Sequence, residues 1–387
     1  MSELFKKYYW YPPAETQIPW AVIFSGFSEQ SESFSTALCR YLNVKHCVLG
    51  QSGRALLFRL LETLKSNKTE QRNEVLIPGY TCYSVAAAIA KAGLTITVYD
   101  LDPKTLYPDL DSLESAATDK TLAIIAQHLF GRRTPMDGLQ RVAKANGAYL
   151  IEDSAQLLGR LPQGQNTGAM GDFGILSFGR GKPLPIGEGG ALLSNDHPSI
   201  ISTLPLPNSA TGYIQPLVSS AVVKMMSKPF CYWLPEMLPL GLGETIFEPG
   251  FPIKNISETT ERMASKGLPV LDTLNAHRLR LANLYSNRID KQYRMSATEV
   301  LTSAIRYPVM LPIKTLTKSL KRLGVRRMYP NSIPTEKSIR PYLKIGAHAT
   351  PGADEIADKL YTLPTHMAID DTLSDEIATE INNAVAL

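Results

Sequence analysis

The 387-residue sequence has few cysteines, a small net charge and no long uninterrupted apolar run. Its four cysteines form no C-x-x-C pair, which argues against a zinc site or a disulfide framework and predicts a reducing compartment, the cytoplasm. A net charge of +4 is too small to predict a nucleic-acid-binding surface. Residues 1–13 lack the apolar core of a signal peptide, and no segment predicts a transmembrane helix. We therefore expect no bound metal, no nucleic acid and no membrane-spanning segment.

The composition is that of a globular protein, with 44% hydrophobic and 20% charged residues. The length allows two domains. We predict an N-terminal segment (1–45), a large domain (46–250) and a small C-terminal domain (251–387). Near the start of the small domain we expect a long helix over 262–288 and a strand over 304–312.

Short apolar runs alternate with segments of helical character between residues 46 and 194. The predicted strands cover 46–49, 75–78, 95–99, 122–127, 149–152, 173–178 and 191–194. This alternation is typical of an α/β domain with a mainly parallel central sheet sandwiched by helices.

Polar side chains follow several of these strands. Ser52, Tyr80, His128 and Asp153 each come just past a predicted strand end. Because ligands bind at the carboxyl ends of parallel strands, we expect these residues to converge. Ser52 and Gly53 also open a helix, where free backbone N–H groups can hold a phosphate. An ordinary N-cap is the alternative interpretation of Ser52.

Asp153 and Lys182 suggest the chemistry of a pyridoxal phosphate (PLP) site. PLP needs a lysine for its aldehyde, a carboxylate for its pyridine nitrogen and donors for its phosphate. Asp153 ends one apolar run, and a second run delivers Ser177 and then Lys182. Ser177 could donate to the phosphate.

Ordered motifs over most of the chain resemble the DegT/DnrJ/EryC1/StrS family of sugar aminotransferases, which have the fold-type-I PLP fold with a smaller α+β C-terminal domain. The similar segments are 75–81, 92–93, 98–102, 128–131, 136–137, 151–156, 171–172, 177–178, Lys182, 187–190, 195–196, 353–360 and 363–364.

The resemblance implies a role for individual residues and for the whole chain. Lys182 would form the Schiff base with PLP and carry the proton, and Asp153 would pair with the pyridinium nitrogen. Gln156 would approach the phenolic oxygen of the cofactor. Ser177 and the helix start at 52–54 would hold the phosphate. The reaction would move an amino group from a donor, usually glutamate, to a nucleotide-linked keto sugar, in a homodimer that makes amino sugars for polysaccharides.

The sequence departs from the family pattern near the cofactor. Cys82, beside Tyr80, stands where relatives have a stacking aromatic residue, and Arg54 replaces a small hydroxyl residue. Thr260 and Pro183 replace an asparagine and a polar residue. Two other functions therefore stay open: a PLP-dependent sugar dehydratase, and a regulatory or scaffold protein without turnover. Dehydratases of this family typically have histidine in place of the lysine, and Lys182 argues against that reading.

Two further segments have no predicted role in the chemistry. The apolar stretch 213–251 is expected to pack in the core, or else to form a substrate lid, a dimer surface or a membrane-surface patch. Residues 314–327 carry six Lys or Arg residues and predict a solvated helix face, with phosphate or partner binding as the alternative.

Overall fold

The structure is a computed structural model that describes residues 9–14, 18–67, 71–159, 167–184, 186–204, 206–207, 214–237, 245–296, 304–346 and 348–386. The strands are β1 (His46–Gly50), β2 (Glu74–Pro78), β3 (Thr95–Tyr99), β4 (Thr121–Gln127), β5 (Tyr149–Asp153), β6 (Phe173–Ser177), β7 (Gly190–Ser194), β8 (Arg306–Met310) and β9 (Leu360–Pro364). The helices are α1 (Trp20–Phe24), α2 (Phe34–Leu42), α3 (Gly53–Asn67), α4 (Tyr83–Lys91), α5 (Leu110–Ala116), α6 (Asp137–Ala145), α7 (Pro198–Thr203), α8 (Ile214–Met226), α9 (Pro229–Met237), α10 (Glu258–Gly267), α11 (Leu271–Arg288), α12 (Lys318–Arg322), α13 (Pro351–Lys359) and α14 (Asp371–Ala386).

Within the described residues, seven strands form one sheet in the order β1-β7-β6-β5-β4-β2-β3. The pairs from β3 through β2, β4 and β5 to β6 are parallel, whereas β7 is antiparallel to both β6 and β1. All seven residues of β4 are buried. A fully buried strand needs helices on both faces of its sheet, so the predicted α/β architecture is confirmed.

Strand β7 shows how the two faces are covered. Leu192 belongs to the apolar core that includes α3 and α4, while Ala191 and Leu193 belong to a second core with α1, α2 and α10. Successive side chains of a strand point to opposite faces, so alternate residues of β7 bind the two helical layers to the sheet.

The predicted long helix over 262–288 is wrong in its extent. Ser257 caps α10 through its Oγ, which accepts the N–H of Thr260 at 3.1 Å, so the helix begins earlier than expected. A short 3₁₀ turn over Leu268–Val270 then separates α10 from α11. Pro269 in this turn has no N–H to donate, which interrupts the α-helical hydrogen bonding.

The C-terminal part adds a two-stranded antiparallel sheet, β8 with β9, whose core includes residues of α11 and α14. The strand predicted over 304–312 is shorter, at Arg306–Met310. The helix predicted over 314–327 is confined to α12, which Thr317 caps. Because α10 packs with the sheet of the large domain, the boundary at 250/251 stays a prediction.

The apolar stretch 213–251 contains α8 and α9; its residues 213 and 238–244 are not among those described. Core packing does not account for it, because many of its large apolar side chains are exposed, Met237 by 73% and Ile214 by 66%. No helix in the part of the chain that the structure describes is long and apolar enough to cross a membrane.

Candidate active site

A cavity of about 200 Å³ lies at the carboxyl ends of β4, β5 and β6. It brings together seven of the ten predicted cofactor-site residues: Ser52, Gly53, Arg54, Cys82, Asp153, Ser177 and Lys182. Further residues that the sequence does not predict also line the cavity, among them Ser84, Gln127 and Ala155. The topology therefore gathers an acid, an amine and a helix N-terminus in one place.

A larger cleft, of about 770 Å³, lies between α2 and α10 and has different chemistry. Its basic residues include Arg40, which pairs with Glu32 at 2.6 Å, and Arg262, which pairs with Glu258 at 3.0 Å. No predicted site residue lines it. The smaller cavity is therefore the candidate active site.

Asp153 and Gln127 lie side by side, because β4 and β5 pair in parallel with these two residues in register. Oδ2 of Asp153 accepts a hydrogen bond from Gln127 Nε2 at 3.2 Å, and Oδ1 accepts one from the N–H of Ala155 at 3.0 Å. Burial raises the pKa of the Asp153 carboxyl, against the opposing effect of the Lys182 charge. The carboxylate is thus held in place but lacks a cation in direct contact among the described residues.

The adjacent carboxylate, Glu152, points to the opposite face of the sheet. It accepts hydrogen bonds from His128 Nε2 (3.0 Å), Ser154 Oγ (2.7 Å), and the N–H groups of Gly168 (2.6 Å) and Met170 (2.8 Å). Burial by itself would raise the pKa of Glu152. The hydrogen bonds from His128 and the other donors have the opposite and larger effect, so the pKa lies below its ordinary value. The hydrogen bonds of Glu152 therefore link β5 to residues 168–170, which precede β6.

His128 is held on that same side and does not line the cavity. Its Nδ1 accepts the N–H of Thr134 at 3.0 Å, so Nε2 carries the proton that it donates to Glu152. Of two consecutive polar residues at the end of β4, the structure therefore brings Gln127 to the site and leaves His128 away from it. The alternation of strand side chains is the signal that could have found Gln127.

The N-terminus of α3 forms a cradle at one end of the cavity. Ser52 Oγ accepts the N–H of Ala55 at 3.2 Å, so Ser52 is an N-cap as well as a lining residue. A Cβ on Gly190 would lie 2.4 Å from the Gly53 nitrogen, and a Cβ on Gly53 would lie 2.9 Å from the Leu176 carbonyl oxygen. Both glycines are therefore required for the helix to start this close to the sheet. The free N–H groups of its first turn suit an anion.

Arg54 adds a positive charge to this cradle. Its guanidinium carbon lies 4.4 Å from the centroid of the Phe251 ring, and burial lowers its pKa. No described carboxylate forms an ion pair with it. Arg54 thus lines the cavity without filling it and presents a cation that an anionic ligand could neutralise.

Lys182 reaches the cavity from a loop between β6 and β7. Its N–H donates to the Gly179 carbonyl at 3.3 Å, and the loop closes where the Phe178 N–H donates to the Gly189 carbonyl at 2.8 Å. Gly181 has a φ of +68°, which a side chain would strain. The glycine before the lysine therefore permits the turn that aims Lys182 at Asp153.

The family model of the DegT/DnrJ/EryC1/StrS aminotransferases matches residues 23–382, nearly the whole chain. The protein belongs to this family. Its membership confirms the resemblance seen in the sequence, and with it the fold-type-I architecture.

The proteins that resemble this chain in sequence or fold include aminotransferases and a dehydratase. The L-glutamine:2-deoxy-scyllo-inosose aminotransferase of Streptoalloteichus tenebrarius is 34% identical over 178 residues, which are 46% of this chain and 41% of that protein. PseC of Helicobacter pylori, an aminotransferase involved in the biosynthesis of pseudoaminic acid, superposes with a TM-score of 0.74 at 17% identity, covering 97% of this chain and 99% of that one. The GDP-4-keto-6-deoxy-D-mannose-3-dehydratase of E. coli with bound hydrated PLP gives 0.72 at 17% identity, covering 96% and 99%. The chain thus aligns in sequence with less than half of the curated relative, and its likeness to the two solved structures is one of fold.

In this DegT/DnrJ/EryC1/StrS member, Cys82 lines the cavity, and its Sγ lies 3.0 Å from Ser84 Oγ. Tyr80 and Gln156 form a layer behind the cavity rather than its wall. Tyr80 is fully buried with its ring centroid 5.1 Å from that of Tyr329, and Gln156 donates to Tyr329 Oη at 2.9 Å. No sequence motif points to Tyr329, because only the folded chain brings it to the residues near 80 and 156.

Proposed function

We propose that the protein is a PLP-dependent aminotransferase that moves an amino group from glutamate to a keto sugar linked to a nucleotide. The observation that carries the proposal is the cavity in which Asp153, Lys182 and the start of α3 converge. Membership in an aminotransferase family supports the reaction class. The amino donor and the carrier of the sugar are inferred from family resemblance.

The residues present fit PLP. Lys182 would supply the amine for the aldehyde carbon, Asp153 the anion for the pyridine nitrogen, and the cradle of Ser52, Gly53 and Arg54 the donors for the phosphate, with Ser177 also in the lining of the cavity. Gln127 Oε1 is buried and meets no donor among the described residues, so the site has polar capacity left for a ligand. Cys82 and Ala155 line the same space and leave room for a flat ring.

When bound, PLP withdraws electrons from the α-carbon of an attached amino acid and so allows that carbon to lose a proton. Lys182, which lines the cavity, would move this proton between the α-carbon of the amino donor and C4′ of the cofactor. Burial raises the pKa of the Asp153 carboxyl. A protonated ring nitrogen beside this carboxyl would stabilise its negative charge. Leu57, Ile125 and Ile151 give the cavity an apolar wall.

Borohydride trapping tests the lysine assignment. The wild-type protein incubated with PLP should show absorbance near the visible edge that borohydride bleaches, with covalent cofactor on the peptide that contains Lys182. Lys182→Ala should abolish this trapping, whereas the control Lys337→Ala should leave it unchanged. Trapping of the Lys182→Ala protein at the wild-type stoichiometry would show that another lysine binds the cofactor.

The amino-transfer reaction is tested separately with glutamate. Conversion of the bound cofactor to its pyridoxamine form is expected, and it would exclude the reading of a scaffold without turnover. A panel of keto sugars, free and nucleotide-linked, then distinguishes amino transfer from dehydration by the presence of nitrogen in the product. Deoxy-sugar products without nitrogen would favour the dehydratase.

The proposal also includes a homodimer in the cytoplasm. Family resemblance supports the dimer, and the scattered cysteines support the compartment. Light scattering after size-exclusion chromatography gives the mass in solution; a monomer that remains fully active would contradict the dimer.

A further inference from the structure

Helix α8 carries an exposed apolar stripe. Ile214, Val218, Val222 and Met225 are exposed by 66%, 54%, 53% and 51%. Their spacing of four, four and three residues places them on one face. The buried residues of α8 (Pro216, Leu217 and Ser220) lie on the other face. The helix is therefore anchored by one face and presents a second apolar face to the outside.

Helix α9 repeats this arrangement. Phe230, Leu234 and Met237 are exposed by 53%, 41% and 73%, and their spacing of four and three residues again defines one face. Helix α9 packs against α8, and α8 packs against α1, which exposes Trp20 and Phe24 by 42% and 60%. We call these three helices with their exposed apolar side chains the hairpin surface.

The rim of the hairpin surface is basic. Lys228, between α8 and α9, is exposed, as are Lys318 and Lys321 of α12, and none of these lysines forms an ion pair with a described residue. The three helices of the hairpin surface contain a single acidic residue, Glu236, which pairs with Arg326 at 2.5 Å. Two further exposed acidic residues, Asp370 and Glu376, lie just before and within α14, which packs against α12. The three unpaired lysines outnumber these two carboxylates, so the rim keeps an excess of positive charge.

Two backbone contacts join this basic rim to the apolar helices. The N–H of Trp10 donates to the Pro229 carbonyl at the start of α9 (2.9 Å), and the N–H of Tyr11 donates to the Arg322 carbonyl at the end of α12 (2.8 Å). Tyr9 packs edge-on against Phe230 with 6.1 Å between ring centroids. Residues 9–11 thus link the basic helix α12 to the apolar helix α9.

We propose that the hairpin surface docks the protein on an anionic membrane surface. Exposed apolar helix faces beside unpaired lysines and aromatic rings match the chemistry of a bilayer interface with acidic headgroups. The charge of the rim therefore selects the lipid surface.

The hairpin surface is also connected to the loop that carries Lys182. Ser220 Oγ of α8 lies 3.4 Å from the position that a Cβ on Gly187 would take. Docking would therefore hold this loop near the membrane.

Vesicle flotation tests the docking without any substrate, so its result does not depend on the proposed amino transfer. The full-length protein should bind phosphatidylglycerol-rich vesicles, bind pure phosphatidylcholine vesicles weakly, and lose affinity as salt rises. Phe230→Ser with Met237→Ser should weaken binding by about tenfold or more, because apolar area leaves the bilayer. Val218→Ser with Val222→Ser, on the other helix, should do the same.

The charge and control variants complete the test. Lys228→Glu with Lys321→Glu should weaken binding at low salt and have less effect at high salt. Ile345→Ser and Lys337→Glu, which change exposed residues away from the hairpin surface, should bind like the wild type; melting curves verify that every variant is folded. Equal binding by all variants, or no vesicle binding by the wild type, would overturn the proposal. Conversion of the oligomer to monomers by the apolar variants, without vesicle binding, would assign the face to a second copy.

Discussion

Replacing Asp153 with asparagine should stabilise the protein without cofactor and inactivate the protein with cofactor. The side chain is buried and its pKa is raised by that burial. An acid whose pKa is raised by folding adds most stability below its unfolded pKa of about 3.9, and loses that contribution as pH rises through its folded pKa. At neutral pH the buried charge of Asp153 therefore destabilises the cofactor-free wild-type protein, and Asp153→Asn removes this charge.

The hydrogen bonds of the site can be kept in the variant. The oxygen of asparagine can accept the N–H of Ala155, and its amide can donate to Gln127 Oε1 once the Gln127 amide turns over. Removal of a buried charge without loss of a hydrogen bond should gain about 1 kcal/mol. A change of 1 kcal/mol in the free energy of unfolding shifts Tm by about 2–4 °C in chains of about 150–250 residues, and by less in longer chains. We therefore expect the Tm of the cofactor-free variant to rise by roughly 2 °C.

With PLP bound, we expect the effect of Asp153→Asn to be unfavourable instead of favourable. Asparagine cannot balance a protonated ring nitrogen, so cofactor binding should stabilise the variant less than the wild type. The glutamate half-reaction should slow on the order of 10²–10³-fold, the typical cost of one electrostatic partner. Thermal melts of both proteins at a series of pH values, with and without PLP, test these expectations together. A cofactor-free variant several degrees less stable than the wild type at neutral pH would refute the reasoning.

Three further changes test other parts of the structure. Glu152→Gln should lower stability to urea by about 3 kcal/mol, since it breaks a buried carboxylate network; an effect as small as that of Asp153→Asn would contradict the structural role of Glu152. His366 donates to the Pro12 carbonyl (2.8 Å), and burial lowers its pKa to about 4. The neutral ring is stable above its unfolded pKa of about 6.5, so acid should remove about 3 kcal/mol between these values; His366→Gln should flatten the plot of Tm against pH over this window, and an unchanged plot would exclude His366 as the cause. Gly190→Ala should push the start of α3 off the sheet and weaken PLP affinity by about tenfold or more in a fluorescence titration, and a wild-type affinity would show that the cradle does not hold the cofactor.

Much of the large domain could be predicted from local patterns. Strands such as β4 are short, apolar and bounded by polar residues, and the predicted bounds of β3 match those observed. Helix ends were less predictable. The break at Leu268–Val270 depends on one proline inside an otherwise helical pattern, and the start of α10 depends on a cap at Ser257.

The candidate site was predictable from the residues that lie at strand ends. It was less predictable where the direction of a side chain decides whether that side chain faces the cavity. Asp153 and Lys182 line one cavity, as the spacing of their apolar runs had suggested. His128 also follows a strand end, yet its ring bonds to Glu152 on the other side of the sheet. Proximity to a strand end selects candidates, but the pleat decides which of them face the ligand.

The sequence by itself determined the order of strands and helices, the family and the candidates for the acid and the lysine, because these depend on local patterns and ordered motifs. The tertiary structure decided which polar residues share the cavity, since Gln127 and Tyr329 meet the residues near 153 and 156 only when distant segments pack. The tertiary structure also decided which residues of the apolar stretch at 214–237 are buried and which are exposed. Helical periodicity there buries one face and leaves the other exposed, and no count of apolar residues distinguishes a buried face from an exposed one.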